Sequence, residues 1–403
     1  MFRLMPVISP DRQRRFLTRW GFVHAASWFV LLVAGGNQVE ASGYFSAQEG
    51  KLSLIAGAPV ANRDAPPDSI IYLDTSDPAA GAALELTNSV IGPPSNLAHS
   101  ARSGWLLLAD SITVREGEVV PADAVWAIPF ATGAFGSPQR IVVGGQPSGI
   151  DLDHAGESAL VANRRDGTVA ALRLDGNRWE LAQVLKVGPD SAEPTDVTIA
   201  PDGLRAGYVL RQGKAVGFLH RASLSEPWEV TEDPLLVPGL PYRIVFSPDG
   251  SRVFTNLADE QGGEGQLQSL ERTAAGWQLG PAVGLGYAGP ETVEKSPDGR
   301  WLVLPMMAGS NLPTDAEDYD PEGRVLIYEV DGAPRLFQTL RCGAIPEGAA
   351  FSADALELVV QGHVDRELWI YRRQSLAERF ELEERVVTSG HPSALISADD
   401  QQP

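Results

Sequence analysis

The chain has 403 residues, 43% of them hydrophobic, with 41 glycines and 30 prolines, enough for one large domain or two ordinary ones. Its formal charge of −20 creates a field that repels nucleic acid and anionic membrane surfaces, so neither is expected as a partner. The single cysteine, Cys342, excludes an internal disulfide and a Cys-x-x-Cys-His haem attachment.

The first 41 residues read as an export signal. Arg3, Arg12, Arg14, Arg15 and Arg19 precede an apolar stretch over residues 21–36, and Val39-Glu40-Ala41 presents small residues where a signal peptidase cuts. The apolar run is short for a membrane span, and no cysteine follows it to take a lipid, so no membrane anchor is expected after cleavage. Gln13 stands where a twin-arginine motif needs its first arginine, which favours the general secretory route. Cleavage strips five arginines and only two acids, Asp11 and Glu40, and leaves a more acidic mature domain over residues 42–403. The expected location is the bacterial periplasm or the medium.

From Pro94 onward one phrase recurs. Pro94, Pro147, Pro194, Pro241, Pro290, Pro346 and Pro392 are spaced by 53, 47, 47, 49, 56 and 46 residues. Asp202, Asp249, Asp298, Asp354 and Asp400 lie eight residues beyond their prolines, as in Ser247-Pro248-Asp249-Gly250. Proline pre-sets φ in such a turn, aspartate bonds its own downstream backbone, and glycine takes a positive φ cheaply. Between proline and turn runs a β-rich phrase such as Arg243-Ile244-Val245-Phe246, and three more short β runs follow before the next proline. Strong helical periodicity is missing after the signal. A period in the forties with four strands per unit predicts an all-β, seven-bladed β-propeller.

The ends of the repeat predict how the ring closes. The last unit holds only its proline phrase, residues 391–400, and the three strands it lacks are expected near Lys51–Ala56, Ser69–Leu73 and Leu84–Val90. The C-terminus thus supplies the innermost strand of a blade whose outer three come from the N-terminus, a 3+1 closure that pairs otherwise exposed edges.

The segment Ala159–Val169, with Asn163 ending one strand and Gly167-Thr168-Val169 opening the next, resembles the repeat of the YVTN propellers. With the Ser-Pro-Asp-Gly turns, the resemblance to the YVTN and lactonase-like seven-bladed superfamily spans nearly all of the mature chain. It implies the fold. Members include binding proteins, surface-layer proteins, lactonases and amine dehydrogenase heavy chains, so it does not imply one function.

Residues one and two after each proline should ring the channel mouth. These include Asn96, Asp196, Arg243, Glu291 and Glu347, with Asn163, Arg164, Asn256, Asp259 and His363 on loops facing the same way. Clustered acids at such a mouth suit a divalent cation such as calcium, with Glu347 and Asp196 as ligands, or a general acid and base for ring opening. The opposing reading is that Asp196 and Arg243, one repeat apart, simply pair between blades and that Asn163 and Asn256 cap strand ends. Asp110–Asp123 and Pro305–Gly323 read as long loops overhanging the mouth, the second with acids at 315, 317, 318, 320 and 322 but without calcium-loop spacing. The histidines fall in separate blades, with His363 and His391 nearest the mouth. No nucleophile elbow or phosphate-binding loop occurs, and a His-Arg pairing of the phosphogluconolactonase type is absent from the inner strands.

The leading expectation is an exported propeller that binds a small molecule or protein partner through its channel-mouth face. Alternatives are a metal-assisted lactonase or related hydrolase using the rim carboxylates, and an accessory subunit of a periplasmic redox complex.

Overall fold

Each proline phrase forms or adjoins the innermost strand of an antiparallel sheet, and seven such sheets stand around one channel. The computed structural model describes residues 42–399 apart from 56–57, 63–65, 78–80, 89–92 and 232. The export signal and Asp400 lie outside these. From the channel outward, blade 2 runs Pro147–Leu152, Ser158–Asn163, Thr168–Asp175 and Arg178–Lys186, and the other blades repeat that plan. Blade 3 differs in the outermost position, where two short pieces, Glu229–Val230 and Leu235–Leu236, both pair with Ala215–His220.

The turns form as their chemistry dictates. Asp249 Oδ1 accepts from the Ser247 hydroxyl at 2.6 Å and from the Ser251 amide at 3.0 Å, and Gly250 follows at φ 64°. Asp298 and Asp354 repeat this with Ser296 and Ser352. In blade 6 Ala355 takes the left-handed position at φ 56°, where the other copies have glycine.

A second repeated device marks the proline end. The residue before the proline is left-handed in four blades: Gln146 (φ 59°), Glu193 (54°), Gly289 (66°) and Ile345 (48°). Each accepts, on its carbonyl, the amide of the residue just past its blade's second strand: Arg164, Arg211, Met307 and His363 respectively. Non-glycine residues rarely adopt this conformation, and a β-branched one such as Ile345 least of all. The clasp sets Arg164, Arg211 and His363 at equivalent positions beside the proline end.

Apolar side chains fill the space between neighbouring sheets. Leu160, Val169, Val197 and Tyr208 pack between blades 2 and 3, and Val303, Val325, Val360 and Trp369 between blades 5 and 6. Trp105, Trp301 and Trp369 are all buried in this way, the ordinary fate of large aromatics on two-faced sheets.

The last blade closes as three strands plus one. His391–Ser397 is innermost and pairs antiparallel with Gly43–Glu49, which pairs with Ser69–Asp74, which pairs with Ala82–Glu85. The partner of the C-terminal strand is therefore Gly43–Glu49, all seven residues of which are buried. Leu52–Ile55, expected in that place, instead makes a separate hairpin with Ala58–Ala61. The third strand is shorter than expected and ends at Glu85, while positions 89–90 lie outside the described residues. Residues 110–123 are likewise no loop. They are the tip of a long hairpin, Trp105–Arg115 against Glu118–Ala131, in which the outer register continues past a bulge at Asp110. Residues 307–322 do form a loop, and its Ser310 hydroxyl accepts the Ile345 amide at 2.9 Å beside the proline end of blade 6.

Candidate functional site

The sequence-derived site residues divide into two groups. The first is a brace. Register shifts between Pro194 and Asp196 and between Pro241 and Ile244 release backbone groups from the ladders just past those prolines. Asp196 gathers them. It is fully buried, and its carboxylate accepts from the Ser95 hydroxyl of blade 1 at 2.8 Å and the Ile244 amide of blade 4 at 2.9 Å. Its reach over blade 2 requires Gly149, whose added Cβ would stand 2.0 Å from Asp196 Oδ1 and 2.6 Å from its Cα. Arg243 lies 3.4 Å from Asp196 and 2.7 Å from Glu294 of blade 5. Burial pushes the Asp196 carboxyl up to about 7 against the pull of Arg243, while Glu294 and Asp196 hold the guanidinium protonated despite burial.

The asparagines belong to this scaffold. Asn256 accepts the Arg243 amide at 3.0 Å and donates to the Pro290 carbonyl at 2.9 Å, tying blade 4 to blade 5. Asn163 donates to the Val143 carbonyl and the Thr168 hydroxyl, and Asn96 to the Ala109 carbonyl. All three are fully buried, so their work is bracing strand ends.

The second group lies at the proline end. Glu291 and Glu347, each one residue past its proline, are buried, and among the described residues neither carboxyl has a hydrogen-bond or ion-pair partner. Burial raises both, Glu291 to about 8 against the pull of Arg211, and Glu347 well above the ordinary carboxylate range, where Glu291 and Glu49 add like charge. The two carboxyls titrate as a coupled pair, and burial holds both toward the protonated form. Tyr242 stands among them: burial lifts its phenol, and Glu291, Arg164, Arg211 and Glu347 all act on it. The Arg211 guanidinium lies 4.7 Å over the Tyr242 ring, and its buried Nε has no hydrogen-bond partner. Arg164 pairs with Glu193 at 2.9 Å. His363 and His391 stack at 5.0 Å, and burial, with His391 alongside, pulls His363 down to about 4.

This corner offers two carboxyls that burial holds toward the neutral, hydrogen-bond-donating form and a guanidinium whose Nε is unsatisfied. Arg211 was missed in the sequence. The signal was its offset: Arg164, Arg211 and His363 occupy equivalent positions in three repeats, yet only Arg164 and His363 were selected.

Asp196 and Glu347, expected to share a cation, sit in different networks. Among the described residues no three His, Cys, Asp or Glu side chains stand close enough to hold a metal ion. The acidic loop is partly spent on ion pairs, Asp320 with Arg324 and Glu322 with Arg341.

No protein-family model and no curated protein sequence matches the chain. Solved structures do. A putative 6-phosphogluconolactonase from Bacteroides uniformis superposes with a TM-score of 0.65 at 14% identity, covering 89% of this chain and 99% of that one. The periplasmic gluconolactonase of Pseudomonas aeruginosa gives 0.61 at 19% identity over 88% and 99%. Hydrazine synthase of Kuenenia stuttgartiensis gives 0.57 at 16% over 78% and 91%. At these identities the likeness is one of fold, the seven-bladed β-propeller. Among the described residues no helix is long and apolar enough to cross a membrane.

Proposed function

We propose that this chain is an exported, periplasmic propeller that captures a small organic acid or its lactone at the proline end of its channel. The observation that carries this is the pair Glu291 and Glu347, buried without protein partners beside Arg211. A ligand carboxylate or lactone carbonyl supplies the acceptor oxygens that two neutral carboxyls and a guanidinium lack, and a charge-assisted bond to Arg211 is the strongest of these. A buried carboxylic acid kept neutral at pH 7 is a known way to make a hydrogen-bond donor.

A lactone hydrolase is the second reading, and the shared fold of a periplasmic gluconolactonase and a putative 6-phosphogluconolactonase supports it. It needs the pair singly ionised. One carboxylate then takes a proton from the attacking water, the C–O ring bond breaks, and the other carboxyl protonates the departing alkoxide, giving the hydroxy acid. Arg211 faces the developing oxyanion.

One experiment separates the two. Purified mature protein is given glucono-δ-lactone, and proton release is followed beside calorimetric binding of gluconate, for wild type and Glu347→Gln. Gluconate binding without turnover fits capture. Turnover lost in Glu347→Gln fits hydrolysis. Neither binding nor turnover in wild type overturns the site.

A further inference from the structure

The opposite, turn-side end of the channel holds a cavity that the proline-end site does not use. It encloses about 200 Å³ between inner strands of blades 1 to 5 and blade 7. This is smaller than the roughly 300–1,000 Å³ of pockets for drug-sized ligands, and suits a single six-membered ring.

Its walls are polar and built. Asp151 is fixed in place: its carboxylate accepts from the Thr198 hydroxyl at 3.0 Å and the Ile199 amide at 2.7 Å, binding blade 2 to blade 3. Glu294 gives one oxygen to Arg243 at 2.7 Å. Lys295, the next residue, lines the same cavity, and among the described residues its ammonium has no hydrogen-bond or ion-pair partner. Burial lowers its proton affinity, while Asp151 and Glu294 work the other way. A half-buried amine with three unused donors, facing carboxylates held by others, is an incomplete hydrogen-bond network.

The charges decide what completes it. Asp151, Asp153, Glu294 and Asp399 line the cavity with Lys295 and Arg243, so carboxylates outnumber cations on its wall even though Asp153 is held by Arg221. An anion would meet that excess, and a cation would meet Lys295 and Arg243. A hydroxyl group avoids both costs, since it accepts from the ammonium and donates to a carboxylate. We propose that this cavity binds a small neutral polyol, a monosaccharide or cyclitol, with Lys295 as its principal donor and Glu294 as its acceptor.

The test uses D-glucose, myo-inositol and, as the charged comparison, gluconate, titrated calorimetrically into the mature protein. Wild type should bind a neutral polyol, and Lys295→Met should weaken it at least tenfold with an unchanged melting temperature. Glu347→Gln should leave polyol binding within twofold. A mutation-free measurement stands beside these. Acylation of lysines by an amine-reactive ester, mapped by mass spectrometry, should be suppressed at Lys295 by saturating polyol and unchanged at Lys51, Lys186 and Lys214. The inference is overturned if neither polyol binds wild type, or if Lys295→Met binds as well as wild type. It is equally overturned if Glu347→Gln abolishes the binding, which would place the sugar at the proline end, or if Lys295 is acylated equally with and without polyol.

Discussion

Gln361 of blade 6 donates its side-chain amide to the Ser46 hydroxyl at 2.8 Å, across 315 residues of chain. The same amide donates to the Ala394 carbonyl at 2.7 Å, and its oxygen accepts the Gly348 amide at 2.9 Å. One side chain therefore joins blade 6 to both chain ends where they lie paired in the closing blade. All of these groups are buried. Gln361→Leu takes this partner from the Gly348 amide and the Ala394 carbonyl, at about 1–3 kcal/mol each, while Ser46 keeps Gln48. Thermal melts should show the largest loss of any single surface-preserving change in the latch, and native-state hydrogen exchange should speed up first in Gly43–Glu49.

Gly149 has a negative or extended backbone and is a glycine for reasons of space alone. Gly149→Ala drives a methyl into Asp196, whose backbone cannot retreat because its carboxylate is tied to blades 1 and 4. The expected cost is about 1–3 kcal/mol, as for other over-packed interiors, read by urea denaturation. A glycine substitution at exposed Gly176, which has open space around it, is strained only by its φ of 60° and should cost less.

Removing the Asp196 carboxylate orphans the Ser95 hydroxyl and the Ile244 amide, while Arg243 keeps Glu294. Asp196→Ala should destabilise by about 1–3 kcal/mol for each orphaned donor. Asp196→Asn keeps the bonds from Ser95 and Ile244 in reach and should cost clearly less. Equal losses in the two variants would mean that the charge, and not the hydrogen bonding, holds the brace.

The carboxyl pair makes stability depend on pH in a definite direction. Glu291 rises from 4.5 to about 8 on folding, so the native state holds protons that the unfolded chain releases. The contribution is fully present below about pH 4.5 and is lost as pH rises toward about 8. Wild type should therefore lose melting temperature over that window. Glu291→Gln with Glu347→Gln should flatten the slope and be the more stable protein at the alkaline end.

How much of this was legible in the sequence follows from which interactions are local. Seven prolines, the Ser-Pro-Asp-Gly turns and the split last unit report the strand count and the closure, because turn chemistry acts within eight residues. The partner of the C-terminal strand was misplaced, since Leu52–Ile55 is the more apolar run while Gly43–Glu49 carries Ser46, Gln48 and Glu49, and only tertiary pairing chooses between them. Residues 110–123 were misread because a polar hairpin tip looks like a loop. At the site, offset counting found Glu291 and Glu347, but gave Asp196, Asn163 and Asn256 the same weight. Which polar residue faces the channel and which is consumed by a neighbouring backbone depends on bulges between Pro194 and Asp196 and between Pro241 and Ile244, and a bulge leaves little trace in composition.

The account rests on two protonated carboxyls receiving a ligand's oxygens beside Arg211. Its most direct measurement is the calorimetric affinity of gluconate for the mature protein from about pH 6 to about pH 9, a range that spans the Glu291 carboxyl, raised to about 8. Affinity should fall at least tenfold across that range in wild type. It should stay flat when both glutamates are changed to glutamine, which remains a donor at every pH. Affinity that is constant or rises with pH in wild type contradicts the account.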